Sequence, residues 1–320
     1  MNRMTLEEAA DLGKNVSPID KSESCTVFRL QDSTGDGLMR VYPVFPGVSL
    51  LYNDFHLESC TSYFRPGTDM FCIDHCREGR LEWEMEDGRC QYMEAGDLQM
   101  STRVDHAGMF RFPLRHYHGI TVALCLEEAG AVLPGILAGF SVDVNALRDK
   151  FCSKGQLFIM RAGASIEHIF SELYSVPETI RDTFFKIKVL EMLLFLSTLE
   201  IPEGSRERPY FYKTQVEKVK SVMALITENP QHHYTLEQLS VEFDFPITAM
   251  KNCFKGVYGT SIYAYSKSYR MNAAAIKLRQ TKESITTIAQ QMGYDNASKF
   301  AAAFKSVMGM TPAEYRKSIV

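Results

Sequence analysis

The alternation of apolar and polar positions changes character along the chain. Up to about residue 130 it has the period of two that marks half-buried strands, in short runs separated by turns. Residues 80–86 place Leu81, Trp83 and Met85 on one face and Arg80, Glu82, Glu84 and Glu86 on the other. Residues 116–124 bring His116, His118, Ile120, Val122 and Leu124 to one face. Glu94-Ala95-Gly96-Asp97 is a turn entering another strand over 98–101, and many short strands with turn signals predict a sandwich or barrel. Helical periodicity follows over 142–152, 165–174 and 177–199. The last is so apolar (Ile180, Phe184, Phe185, Ile187, Leu190, Leu194) that its stripe exceeds one packing surface. It leaves two readings of equal weight, a second subunit or burial within its own domain.

Residues 201–213 are polar, charged and punctuated by Pro202, Gly204 and Pro209, the composition of a linker. The predicted division is therefore a first domain over 1–200, a linker over 201–213 and a second domain over 214–320, helical throughout.

Within the second domain, helix signals recur in a fixed order. A helix over 215–228 ends near Asn229-Pro230. Thr235-Leu-Glu-Gln238 is a capping box, in which the threonine oxygen takes an amide at the helix start and the glutamine reaches back. That helix buries Leu236, Leu239 and Phe243. After Asp244-Phe245-Pro246 a second helix over 247–258 turns Met250, Phe254 and Val257 inward and Thr248, Lys251, Asn252 and Lys255 outward. Two short helices with a tight turn, the second showing polar and basic residues, are what reading a DNA major groove requires. The arrangement then repeats. Ser284 caps a helix with Ile285, Ile288 and Met292 inward, Gly293 breaks it, and Asp295 or Asn296 caps the next. There Phe300, Ala303, Phe304 and Val307 are buried and Ser298, Lys299, Ala302 and Lys305 face out. Residues 261–279 lie between, free of Gly and Pro. As a helix their 19 residues span about 28 Å, suited to setting two reading helices in successive major-groove turns about 34 Å apart.

Charge agrees with this division. The whole chain carries a formal net charge of -4, yet residues 213–320 hold 14 Lys and Arg against 8 Asp and Glu. A basic C-terminal part on an acidic body is the footprint of one domain meeting a polyanion. With 45% hydrophobic and 23% charged residues the composition is that of an ordinary globular protein. No apolar run reaches membrane-spanning length and no signal pattern opens the chain, so a cytoplasmic location without membrane association is expected. Cys72 and Cys76, with His75 between them, lack the matching second pair of a zinc site and read as buried thiols among the eight cysteines.

Three stretches resemble the signature of the AraC/XylS family of bacterial transcription regulators: Ile288-Ala-Gln-Gln-Met-Gly-Tyr294, Lys299-Phe-Ala-Ala-Ala-Phe-Lys305, and Gly309-Met-Thr-Pro-Ala-Glu-Tyr-Arg316. Phe254-Lys255, Gly259 and the spacer Tyr269-Arg-Met-Asn-Ala-Ala-Ala-Ile-Lys-Leu278 fit its upstream half, so the likeness covers roughly residues 215–316. The resemblance implies an α+β two-domain protein. Its N-terminal part is a cupin-like β-barrel with flanking helices, for effector sensing or dimerisation. Its C-terminal part is an all-α domain with two helix-turn-helix motifs joined by a linker helix. The base-contacting positions fall on Thr248, Lys251 and Asn252 in the first motif and on Ala297, Ser298, Lys299 and Ala302 in the second. Lys255 and Lys305 are assigned to phosphates, and Arg270 and Arg316 to structure or backbone contact. The site of Ala302 is often arginine in the family and that of Ser306 often basic. Alanine cannot hydrogen-bond a base edge, so the first motif is expected to supply most of the discrimination. The second is expected to anchor phosphates through Lys299, Lys305 and helix amides.

For the first domain, Tyr52, His75, Trp83, His116 and His118 are the expected lining of an effector pocket, with Phe55 beside them. The usual cupin metal pattern of two histidines, a glutamate and a later histidine is missing. No metal, cofactor or catalytic residue is therefore assigned, and core histidines are the plainer reading. The expected function is a sequence-specific DNA-binding transcription regulator, not an enzyme. Its expected partners are double-stranded DNA, a small-molecule effector, a second copy of the chain in a homodimer and, for an activator, RNA polymerase. The rivals are a ligand-independent dimeric regulator, a metal-dependent cupin enzyme tethered to DNA, and a DNA-repair protein with a cysteine acceptor.

Overall fold

The computed structural model describes residues 10–85, 87–104, 107–136, 139, 142–153, 157–201 and 210–318. It divides into two compact units. One comprises Met1–Asp87 with Gln91–Tyr210, the other Gly88–Cys90 with Phe211–Val320. Residues 202–209 of the expected linker lie outside the described residues.

Among the described residues the first unit is built on thirteen strands, the ninth beginning with two residues counted in the other unit: β1 (Ala10–Asp11), β2 (Val16–Lys21), β3 (Thr26–Asp32), β4 (Gly35–Phe45), β5 (Val48–His56), β6 (Ser59–Ser62), β7 (Arg65–Pro66), β8 (Met70–Glu84), β9 (Arg89–Glu94), β10 (Asp97–Ser101), β11 (Gly108–Arg111), β12 (Tyr117–Cys125) and β13 (Phe158–Arg161). They form a large antiparallel sheet in the order β13-β10-β8-β12-β5-β4-β3-β2, with β6, β9 and β11 branching from it and β1 paired separately with β7. Among the described residues four α-helices accompany it: α1 (Leu126–Ile136), α2 (Val144–Phe151), α3 (Ala164–Leu173) and α4 (Arg181–Thr198). The sheet's alternation sorts its side chains between two cores. Phe71, Ile73, Leu98, Met100, Ile120, Val122 and Leu124 join the helices' Leu147, Phe151, Ile169, Phe170, Phe185 and Met192 in one. Phe28, Val41, Leu51, Met70, Cys72 and Ala123 point the other way. A half-turn of register would exchange these faces, so every pairing is fixed by which side is apolar.

Two local expectations change. Arg80 and Glu82, on the polar side of their run, are buried. Arg80 pairs with Glu94, and Glu82 accepts from Tyr92 Oη at 2.8 Å. Helix α1 was not visible in the periodicity because it contains Gly130, Pro134 and Gly135, residues that punctuate rather than build helices. On α4, Phe185, Val189, Met192 and Leu196 are buried while Ile187, Leu194 and Phe195 are exposed, so its apolar stripe is wider than its own core uses. Among the described residues no helix is long and apolar enough to cross a membrane.

The second unit is helical from residue 213 on: α5 (Lys213–Glu228), α6 (Leu236–Glu242), α7 (Ile247–Tyr258), α8 (Ile262–Gln280), α9 (Ile285–Gln291), α10 (Ala297–Met308) and α11 (Pro312–Lys317). The cap signals act where the sequence put them. Thr235 and Gln238 form a reciprocal box on α6, Ser284 caps α9 and Asn296 caps α10, while Ser261, not named among the expected caps, caps α8. Met271, Ala274, Leu278, Ile288, Met292, Phe300 and Phe304 form one core around the end of α8.

Candidate nucleic-acid interface

The two helix pairs α6–α7 and α9–α10 are built alike at atomic detail. In the first turn Asp244 takes a positive φ of 43° and the Phe245 amide donates to Ser240 O at 3.0 Å. In the second, Gly293 takes φ 78° and the Tyr294 amide donates to Ala289 O at 2.9 Å. Asp244 is an unusual occupant of the left-handed region. Lys218 of α5 holds it there, its Nζ donating to Asp244 O at 2.6 Å. Both second helices end on a left-handed glycine, Gly259 (φ 74°) and Gly309 (φ 78°), each donating back to a lysine carbonyl, Lys255 and Lys305.

On α7, Met250, Cys253, Phe254 and Val257 are buried, and Thr248, Lys251, Asn252 and Lys255 are exposed. On α10, Phe300 and Phe304 are buried, and Ala297, Ser298, Lys299, Ala302 and Lys305 are exposed. Among the described residues the ammonium groups of Lys251, Lys255, Lys299 and Lys305 have no ion-pair partner, and the Asn252 amide makes no hydrogen bond. These groups therefore keep their donors free for a polyanion or a base edge. The helix starts differ. Asn296 Oδ1 accepts from the amides of Ser298 and Lys299 at 2.9 and 3.0 Å, so those donors at the head of α10 are taken. Helix α7 begins after Pro246 with no side-chain cap, leaving its first amides open.

Arg270, half-way along α8 and buried, ties the unit together. Its Nε donates to Pro230 O at 2.8 Å, Nη2 to His232 O at 3.0 Å, and Nη1 to His233 Nδ1 at 3.0 Å. Since a guanidinium only donates, His233 Nδ1 accepts and its Nε2 carries the proton donated to Gly293 O at 2.8 Å. Arg270 is thus a structural residue, and one whose reach extends through His233 into the second turn. Arg316 likewise donates to Glu283 O.

In the first unit the five residues named for a pocket are not brought together. His75 and Tyr52 lie on the helix-covered side of the sheet. His75 stacks on Phe170 with ring centroids 4.3 Å apart and its Nε2 is 3.0 Å from Glu167 Oε2. Burial holds its imidazole below the ordinary value, against the opposing pull of Glu167. Tyr52 Oη donates to Leu173 O. Trp83 packs with Met93, Phe112 and Tyr117. His116 Nδ1 is 2.9 Å from Leu114 O, and His118 lies beside Asp54, His56 and Glu78.

A cavity of about 160 Å³ opens instead on the other face. Phe28, Val41, Leu51 and Phe112 are among its apolar walls, and Asn53, Asp74, Gln99, Arg103 and Thr121 give it a polar wall. Register sets this wall, because Gln99, Asp74, Thr121 and Leu51 stand opposite one another across β10, β8, β12 and β5. Asn53 Nδ2 donates to Thr121 Oγ1 at 2.9 Å, which donates to Asp74 Oδ1 at 2.7 Å. Arg103 pairs with the same oxygen. Burial alone would pull the Arg103 guanidinium down, but the Asp74 carboxylate holds it above its ordinary value. Asp74 Oδ2 and Gln99 Oε1 are buried without a hydrogen-bond partner. This wall had no sequence signal, since its members come from four strands and the loop after β10. Cys72 also lines the cavity and burial pushes its thiol up to about 11; Cys76 is raised for the same reason. Both are inert as nucleophiles at neutral pH.

A helix-turn-helix domain model matches residues 239–318. The chain is 29% identical over 99 residues to a putative AraC-like transcription regulator of Streptomyces antibioticus, covering 31% of this chain and 33% of that protein. It is 23% identical over 131 residues to the transcriptional activator RhaR of Mannheimia succiniciproducens, covering 41% of this chain and 48% of that one. The matches thus span less than half the length of these relatives. Among solved structures, the C-terminal domain of AraT, a response regulator from Geobacillus stearothermophilus, aligns at 29% identity over 32% of this chain and 84% of its own, with a TM-score of 0.31. The family model's span falls on helices α6 to α11 described above, and the chain is similar there to AraC-like transcription regulators.

Proposed function

We propose that the chain is a sequence-specific transcription regulator whose two helix-turn-helix motifs, α6–α7 and α9–α10, read DNA from the two halves of a rigid helical unit. The observation that carries this reading is the exposed, unpaired set Thr248, Lys251, Asn252 and Lys255 on α7, repeated on α10 as Ser298, Lys299 and Lys305. Lysine donates to guanine O6 and N7 and asparagine serves adenine, whereas Ala302, exposed on α10, offers a base nothing but a methyl group. Discrimination therefore rests on the first motif, and phosphate contact on Lys255, Lys305 and the open amides of α7. A site selected from random duplexes supplies the probe for a mobility-shift series. Lys251→Ala and Asn252→Ala should each cost about 1–3 kcal/mol on that site and flatten the preference at one base pair. Lys255→Ala and Lys305→Ala should weaken every duplex alike and reduce the slope of log K against log salt by about 0.9. Retained discrimination in both α7 variants would overturn the reading.

We propose further that the first unit is a cupin-like sensing barrel, with the cavity as its effector site. A cavity of about 150 Å³ accepts one benzene ring, so 160 Å³ holds a single ring with a small substituent. Among the described residues on its wall the one guanidinium, Arg103, is paired with Asp74, while two acceptors there lack donors. The fitting class is thus a neutral apolar molecule bearing a hydroxyl or amine, rather than a carboxylate. Phenol should raise the unfolding midpoint of the full chain and benzoate should not, and Leu51→Trp should abolish the phenol response by filling the space. A rise with benzoate alone would reject the class.

A further inference from the structure

Near the ends of two neighbouring interior strands of the first unit's sheet, three side chains converge on one point. Asp54 and His56 alternate onto the same face of β5, and His118 of β12 stands directly opposite Asp54 in the antiparallel register. His56 Nε2 is 2.8 Å from Asp54 Oδ1, His118 Nε2 is 3.0 Å from that oxygen, and the two imidazole nitrogens are 3.4 Å apart. Around a tetrahedral zinc ion, with bonds of 2.0–2.2 Å to nitrogen and oxygen, neighbouring ligand atoms lie about 3.3 Å apart. The observed triangle already has nearly that size. As a hydrogen-bonded cluster it would set both imidazole N–H groups on one carboxylate oxygen, which can accept two, with the two donors 3.4 Å apart. Around a cation, each of the three atoms contributes a lone pair.

We infer that Asp54, His56 and His118 form a binding site for a divalent first-row transition ion of the zinc class, held by two imidazole nitrogens and one carboxylate oxygen. The donor set suits such ions and is poor for magnesium or calcium, which take oxygen ligands. His118 stands opposite Glu78 of β8 on its other side, and its Nδ1 faces the Glu78 carboxylate at 3.6 Å. A carboxylate behind a metal-bound histidine fixes the ring and raises its basicity, so Glu78 is a positioning residue. Three protein ligands leave a coordination position open to water or a further ligand. With His56 60% and Asp54 41% exposed, an ion reaches the site directly from solvent. The site departs from the expectation of a metal-free protein, and it rests on neither the DNA reading nor the cavity.

The full chain, stripped with a chelator, is dialysed against Zn2+ and its metal content measured. Co2+ is used in parallel for its visible spectrum. The wild type should bind one more equivalent than His118→Ala or Asp54→Asn, and His168→Ala, changing an exposed histidine elsewhere, should keep it. Glu78→Gln should weaken that equivalent ten- to hundredfold. The cobalt spectrum should show nitrogen and oxygen ligation without a thiolate charge-transfer band, separating this site from the eight cysteines. His56→Ala, altering the most exposed of the three, provides the same comparison should either other variant fail to fold. Equal stoichiometry in the wild type and these variants, or a thiolate band on the bound cobalt, overturns the assignment.

Discussion

Replacing Arg103 by methionine is expected to destabilise the first unit by about 3–5 kcal/mol, the cost of leaving a buried charge without its partner. Asp74, only 5% exposed, would keep the Thr121 hydroxyl but lose its cation. Removing both charges is a different matter, because most side chains lining the cavity they share are apolar, Met70, Cys72, Phe112 and Ala123 among them, although Asn53, Gln99 and Thr121 stand beside them. The double variant Arg103→Met with Asp74→Leu should recover most of the loss, since a buried pair replaced by apolar groups of like volume is often neutral. The chain has one tryptophan, Trp83, buried in this unit. Its fluorescence during urea unfolding therefore reports the first unit selectively. A single variant that unfolds at the wild-type urea concentration would mean that water already reaches Asp74.

The second large effect lies in the helical unit. Arg270→Ala removes the donors to Pro230 O, His232 O and His233 Nδ1 at once. With hydrogen bonds from a charged group worth about 1.5–3 kcal/mol each and only partial access of water to the space left, a loss of roughly 3 kcal/mol is expected. Arg270→Lys should restore less than half of it, because one ammonium point cannot serve the directions spanned by the planar fork. The loss should appear in the helical circular dichroism, which most of this unit's residues feed, while the Trp83 transition stays in place. A lysine variant as stable as the wild type would show that charge, not geometry, is what α8 requires at this position.

The helical unit was legible in the sequence because its signals are local. Thr235, Ser261 and Ser284 cap within a few residues of themselves, and the left-handed glycines sit where the apolar period stops. The outward positions of α7 and α10 follow from a 3.6-residue period once those ends are known. The sheet was legible only to parity. Strand alternation places His75 on the face of Phe71 and Ile73, and its ring lies there against Phe170. Nothing in a strand, however, says which of its faces the helices will cover and which will enclose a cavity. The Asn53–Thr121–Asp74–Arg103 wall and the Asp54–His56–His118 triangle depend on register between strands more than sixty residues apart. Pairing of that kind is decided by the whole sheet, not by any neighbourhood of the chain.

The chain of bonds from Arg270 through His233 to Gly293 makes the spacing between the two gripping surfaces a property of the polypeptide rather than of its target. Gly293 lies close against this strut, since a side-chain carbon there would lie 2.5 Å from Gln231 O. If both surfaces contact one duplex as proposed, any mismatch in the distance between the contacted segments has to be absorbed by the nucleic acid, as curvature or altered twist. Such a clamp selects among sequences by how readily they deform, including at base pairs it never touches.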